Sequence, residues 1–171
     1  AWGEDPHTVG ELTGAFQRGL AATGVLGCAK HFPGHGDTAT DSHLELPLLQ
    51  HSRERLESLE LQPFRTLIQE GVSSVMTAHL LIPALDEQWP ATLSANVLTT
   101  LLRVDLGFKG LVVTDALVME AITARYGAGE AAVLAFAAGA DLILMPADAV
   151  AAIDALCDAL RSGRVPMARL H

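Results

Sequence analysis

Four short apolar runs punctuate the chain, each placed after a glycine that ends a stretch of helical periodicity. Leu12, Phe16, Leu20 and Ala21 recur at helical spacing after Asp5-Pro6, predicting a helix over residues 7–22 that stops before Gly24. Residues 24–29 then read as a strand buried on both faces. Leu56, Leu59, Phe64, Leu67 and Ile68 make a helical stripe interrupted by Pro63, and residues 72–79 follow Gly71 as the next strand. A helix capped by Ser94 runs to Leu106 and Gly107, ahead of the run at 110–115. The alanine-rich helix 128–138 ends at Gly139, the fourth run is 141–146, and a last helix covers 147–162. Helices alternating with short apolar runs predict parallel strands joined by crossovers, an α/β architecture. Periodicity leaves both an open doubly wound sheet and a closed (β/α)8 barrel in play. A complete barrel takes about 250 residues, so a barrel reading makes the 171 residues a partial barrel of about four βα units.

The function classes open to such a chain are narrowed by its charge. A formal net charge of −9, with no lysine or arginine cluster, repels polyanions and argues against a nucleic-acid partner. The longest apolar stretches, 131–140 and 142–150, are broken by glycine, aspartate or proline. They fall short of the roughly 18–20 residues of a membrane span, so no membrane partner is expected. Half the residues are apolar and 18% are charged, the balance of a globular domain. Cys28 and Cys157 stand far apart outside any CxxC arrangement and read as two buried thiols. Residues 1–6 are polar and turn-like, so no signal peptide is read there and a cytoplasmic location is expected.

In a parallel α/β protein the strand C-termini share one face and gather catalytic residues from distant loops. The ends here carry Lys30 and His31, then His79, then Asp115, then Met145-Pro146. A charge at a buried strand end is costly unless paired, so Lys30 and Asp115 facing a common pocket would explain each other. The competing reading of Asp115 is an N-cap for the next helix. The stretch CAKHFPGHGDTATDSH at residues 28–43 concentrates ionisable groups directly after the first run. Within it Asp41 and His43 lie two apart, close enough for the carboxylate to orient the ring as a proton shuttle. A solvated loop histidine is the competing reading. Gly34 and Gly36 around His35 permit positive φ or close approach to a ligand. His31, His35, His43, Asp37, Asp41 and His79 could supply a metal centre, but their spacing matches neither HExxH nor a CxxC site. No metal and no cofactor are expected.

The segment KHFPGHGDTATDSH at residues 30–43, followed by Leu46-Pro47, resembles the signature of glycoside hydrolase family 3 in its β-N-acetylhexosaminidase branch. The resemblance extends through residues 75–79, 90–94 and 107–117, and residues 2–6 are similar to the family's segment after its third strand. It implies a (β/α)8 barrel with Asp115 as nucleophile and Asp41–His43 as the acid/base dyad. The dyad favours the hexosaminidase branch over the β-glucosidase branch. Lys30 and His31 would bind sugar hydroxyls, and His79 and Met145 complete the implied substrate-binding set. The implied reaction is retaining β-N-acetylglucosaminidase hydrolysis of glycans or peptidoglycan fragments. An aspartate from an earlier strand and an arginine ahead of the 2–6 segment, both part of the family's site, are not among these residues. The chain therefore reads as the C-terminal half of a barrel domain, with self-association covering its open edges. A phosphorolytic relative, a non-catalytic half-barrel binding or assembly module and a metal-dependent hydrolase are the alternatives.

Overall fold

The computed structural model describes residues 2–38 and 46–170. Helix α1 (Pro6–Ala22) opens as the sequence predicts: the Asp5 carboxylate accepts the Thr8 amide at 2.7 Å and Pro6 fills the first turn. Strand β1 spans Cys28–Phe32 and is followed by α2 (Arg53–Ser58), α3 (Gln62–Gln69) and β2 (Ser74–Thr77). The expected stripe at 52–71 is two helices because Pro63, which lacks an N–H, is tolerated only in a first turn; it opens α3. Next come a 3-10 turn at Ala91–Leu93, a π-helix at Asn96–Asp105 and β3 (Leu111–Val113). The π-helix closes with the Leu106 amide bonded five residues back to the Leu101 carbonyl. Helices α4 (Glu120–Thr123), α5 (Ala128–Ala138) and α6 (Ala149–Arg161) follow, with a 3-10 turn at Met167–Leu170 after them.

The strands form one parallel sheet of three in the order β1-β2-β3, in register through Ala29, Val75 and Val112. Two expectations change here. The first strand lies at residues 28–32 rather than 24–29, because Val25 and Leu26 are exposed and the sheet takes the mixed segment Cys28–Phe32. Lys30 and His31 are therefore inside β1, not beyond it. The fourth run contributes a single bridge, Leu142 to Val113, in place of a strand. The Asp141 carboxylate accepts the Val112 amide at 2.8 Å, the position a neighbouring strand's carbonyl would otherwise fill. The Lys30–His31 and Phe32–Pro33 peptide bonds are cis.

Phe32, Val75, Leu80, Leu98, Leu102, Val112, Leu117 and Ile122 are buried at the centre of one core that spans the sheet, the π-helix and α5. Helix α1 joins it differently. Its inward face is Gly10, Gly14 and Gln17, while Leu12 and Phe16 point outward. A Cβ on Gly14 would stand 2.5 Å from a Glu70 oxygen, so α1 and α3 approach closely because no side chain separates them. Arg18 closes this contact with a 2.6 Å ion pair to Glu70. Cys28 is exposed and Cys157 half-buried, against the expectation of two buried thiols; the irregular edge of β1 leaves the first uncovered. Among the described residues, no helix is long and apolar enough to cross a membrane.

Candidate active site

Because β1, β2 and β3 are parallel, their C-terminal ends open on one side of the sheet. His31 near the end of β1 and Asp115, two residues past β3, meet there across the end of β2. Nε2 of His31 lies 3.7 Å from Oδ2 of Asp115, with the two side chains 30% and 18% exposed. That separation is too long for a hydrogen bond and leaves both groups reachable from solvent. Oδ1 of Asp115 accepts the amide of Ala116 at 2.8 Å. Helix α4 starts from Met119 with no side-chain cap, so Asp115 is not the N-cap of the following helix. Burial holds the His31 ring below the ordinary histidine pKa, and Asp115 partly offsets this by favouring the charged form.

Lys30 does not make the expected pair with Asp115. Among the described residues the ion-pair partner of Asp115 is His31. Lys30 is exposed and lines an open groove of about 910 Å³ between β1, α1 and α3, with His31, His35, Phe16 and Phe64 also in its walls. Asp115 is not part of that lining, so His31 is the residue that touches both the groove and the carboxylate. The loop after β1 is fixed at its base by Arg55, which donates to Asp37 at 2.7 Å and to Glu60 at 3.2 Å. Gly34 has φ 141° and packs so closely that a Cβ there would stand 2.8 Å from the Glu60 Cβ. The expected dyad, Asp41 and His43, lies outside the described residues.

His79, in the implied binding set, does not line the groove. It is fully buried; its Nδ1 faces the Thr92 hydroxyl at 2.9 Å and its Nε2 faces the Ala116 carbonyl at 3.0 Å. Neither nitrogen remains for a sugar, because the strand end it follows is roofed by the Ala91–Leu93 turn. Thr92 also lies 2.7 Å from the Thr77 hydroxyl, whose oxygen accepts the Asp115 amide at 3.4 Å. Met145 is exposed and adopts φ 43°, a left-handed conformation uncommon outside glycine. It follows Leu144, whose carbonyl accepts the Leu117 amide at 3.0 Å, which places the 142–146 segment beside the Asp115 loop. Sequence reasoning missed Thr77 and Thr92. Their signal was a hydroxyl at the end of one apolar run and another just before Leu93-Ser94, both in segments otherwise suited to a core.

A parallel α/β scaffold with a histidine and a carboxylate converging at its strand ends is the arrangement of enzymes that work at a sheet's C-terminal face. The chain belongs to glycosyl hydrolase family 3: the "Glycosyl hydrolase family 3 N terminal domain" matches residues 1–171. It is 44% identical over 141 residues to a beta-hexosaminidase of Neisseria gonorrhoeae (strain NCCP11945), covering 82% of this chain and 39% of that protein. The chain thus spans about two fifths of that relative's length. A glycoside hydrolase family 3 beta-N-acetylglucosaminidase from Paenibacillus sp. str. FPU-7 superposes with TM-score 0.92 at 53% identity, covering 95% of this chain and 32% of that one. The beta-glucoside phosphorylase BglX superposes with TM-score 0.91 at 29% identity, covering 97% and 32% of the respective chains.

Proposed function

We propose that the protein is a retaining β-N-acetylglucosaminidase that removes terminal N-acetylglucosamine from glycans or peptidoglycan fragments. The observation that carries this reading is the convergence of His31 and Asp115, 3.7 Å apart, from separate strands. The Asp115 carboxylate attacks the anomeric carbon as the bond to the leaving oxygen breaks, giving a glycosyl ester. His43 gives its proton to that oxygen, and Asp41 orients the ring. In the second step neutral His43 takes a proton from water, the water oxygen bonds to the anomeric carbon, and Asp115 is released. Lys30, a cation on the groove wall, donates to sugar hydroxyls. His31, held toward its neutral form by burial, can donate from one nitrogen and accept at the other. Met145 stands at the rim of the same face.

The parallel sheet is, in this reading, a consecutive set of strands from a (β/α)8 barrel. Trp2, Phe16 and Leu26 on one flank and Val150, Ile153 and Met167 on the other are exposed apolar residues, and self-association is proposed to cover them. Light scattering that returned the monomer mass at every concentration would remove that part. Replacing Asp115 with alanine in the intact gene product is expected to abolish turnover of an aryl N-acetylglucosaminide. Undiminished turnover would overturn the assignment. A phosphorolytic reaction is favoured by one finding, the likeness to a beta-glucoside phosphorylase. It requires turnover to rise with added phosphate and to release a sugar 1-phosphate.

A further inference from the structure

Thr77, His79 and Thr92 are fully buried behind Asp115, and valence assigns most of their hydrogens. The Ala116 carbonyl can only accept, so Nε2 of His79, 3.0 Å from it, carries a proton. A neutral ring then has a bare Nδ1 that must accept, and the group facing it at 2.9 Å is the Thr92 hydroxyl. Donation to Nδ1 occupies the one proton of Thr92. Its oxygen is left to accept from the Thr77 hydroxyl at 2.7 Å, and the Thr77 oxygen in turn accepts the Asp115 amide at 3.4 Å. A second arrangement fits the same distances. Thr92 would donate to the Ala78 carbonyl, also 2.9 Å away, and His79 would become an imidazolium donating from both nitrogens. That buries a cation at a fully enclosed site. Burial opposes the cation most strongly and His35 adds to it, and together they outweigh the Ala116 carbonyl and Asp115, which favour the charged ring.

We propose that Thr77, Thr92 and a neutral, Nε2-protonated His79 form a directional hydrogen-bond relay that positions Asp115. The relay starts at the Asp115 amide and ends on the Ala116 carbonyl, so it grips the backbone on both sides of the carboxylate that faces His31. On the opposite side the 142–144 segment holds the same stretch: the Thr114 amide donates to Leu142 at 3.0 Å, the Leu144 amide to the Thr114 hydroxyl at 2.9 Å, and the Leu117 amide to Leu144 at 3.0 Å. Peptide 116–117 is therefore fixed at its oxygen by His79 and at its nitrogen by Leu144. Thr77, Thr92 and His79 are positioning residues; none of them is reachable by substrate. This inference rests on the role proposed for Asp115, and its first readouts do not depend on that role.

The test uses the intact gene product. Nitrogen–proton correlation spectra of the His79 ring are expected to show the Nε2–H tautomer, unprotonated at Nδ1, near pH 7. An imidazolium or an Nδ1–H tautomer there overturns the relay. Thr92→Val keeps the shape and removes the hydroxyl; it is expected to speed exchange of the Asp115 amide by roughly tenfold, while Thr92→Ser stays near the native rate. Thr77→Val reads the same chain one link earlier, should Thr92→Val fail to fold. In turnover assays Thr92→Val is expected to lower kcat by roughly 10- to 100-fold with KM little changed, and Thr92→Ser to restore it. Unaltered Asp115 exchange in both valine variants would overturn the positioning role. Correct tautomer and exchange responses in a protein whose turnover ignores Asp115→Ala would sustain the relay and remove the hydrolase reading instead.

Discussion

A histidine near the end of β1 faces the Asp115 carboxylate and another just past β2 faces the neighbouring Ala116 carbonyl, and the two rings live in different surroundings. His31 is part-exposed, touches the groove and stands 3.7 Å from the carboxylate. His79 is sealed beneath the Ala91–Leu93 turn with both nitrogens bonded to protein. The same residue type at neighbouring strand ends thus sits in two settings, and accessibility to the groove separates them. One ring can meet a ligand; the other can only hold the loop that meets it.

The largest expected effect lies on the Asp115 carboxylate, which one ring faces and whose loop the other holds. Asp115→Asn should lower turnover by on the order of 10⁴-fold while thermal unfolding is little changed; comparable turnover would dissolve the comparison, since neither histidine would then flank a reacting group. His79→Ala should cost about 3 kcal/mol in urea denaturation, because it opens a cavity and strands the Ala116 carbonyl. A loss below about 1 kcal/mol would mean that the buried ring is not the structural member of the pair. His31→Gln should reverse that pattern, raising KM about tenfold with stability altered by less than about 0.5 kcal/mol. Smallest is the pH response. Burial lowers the pKa of both rings from the usual 6.5, so the unfolded chain binds more protons than the native one just below that value. Stability should be full above about pH 6.5 and fall as the pH drops toward the lowered native values, most of the slope vanishing in His79→Gln. A flat profile in the unaltered protein would show that His79 is not held neutral.

Much of this arrangement was legible in the sequence, and the failures have physical causes. The alternation of helices with apolar runs located β2, β3 and α5 because Val75, Val112 and the alanines of α5 are packed into the core. It misplaced β1 because Val25 and Leu26 are exposed, while a strand at the open edge of the sheet carries Lys30 and His31 in their stead. The fourth run looked like a strand, but the Asp141 side chain takes over one ladder bond and leaves a single bridge. The position of Asp115 just past a strand is readable from the apolar run that precedes it. Its partner was misjudged as Lys30 because sequence order does not say which of two adjacent residues turns toward the neighbouring strand. Thr77 and Thr92 stayed invisible because a buried hydroxyl acquires its role only from the groups folded against it.

Helix α1 meets the rest of the molecule through Gly10 and Gly14, with Leu12 and Phe16 turned away. Little apolar surface is removed from water at that seam, so its adhesion depends on backbone proximity and the Arg18–Glu70 pair. Under mild denaturant α1 should peel off first, its amides exchanging well before those of β2. Detachment would strip the groove of one wall while leaving the seat of Asp115 intact, so the groove would be lost earlier in unfolding than the geometry around that carboxylate.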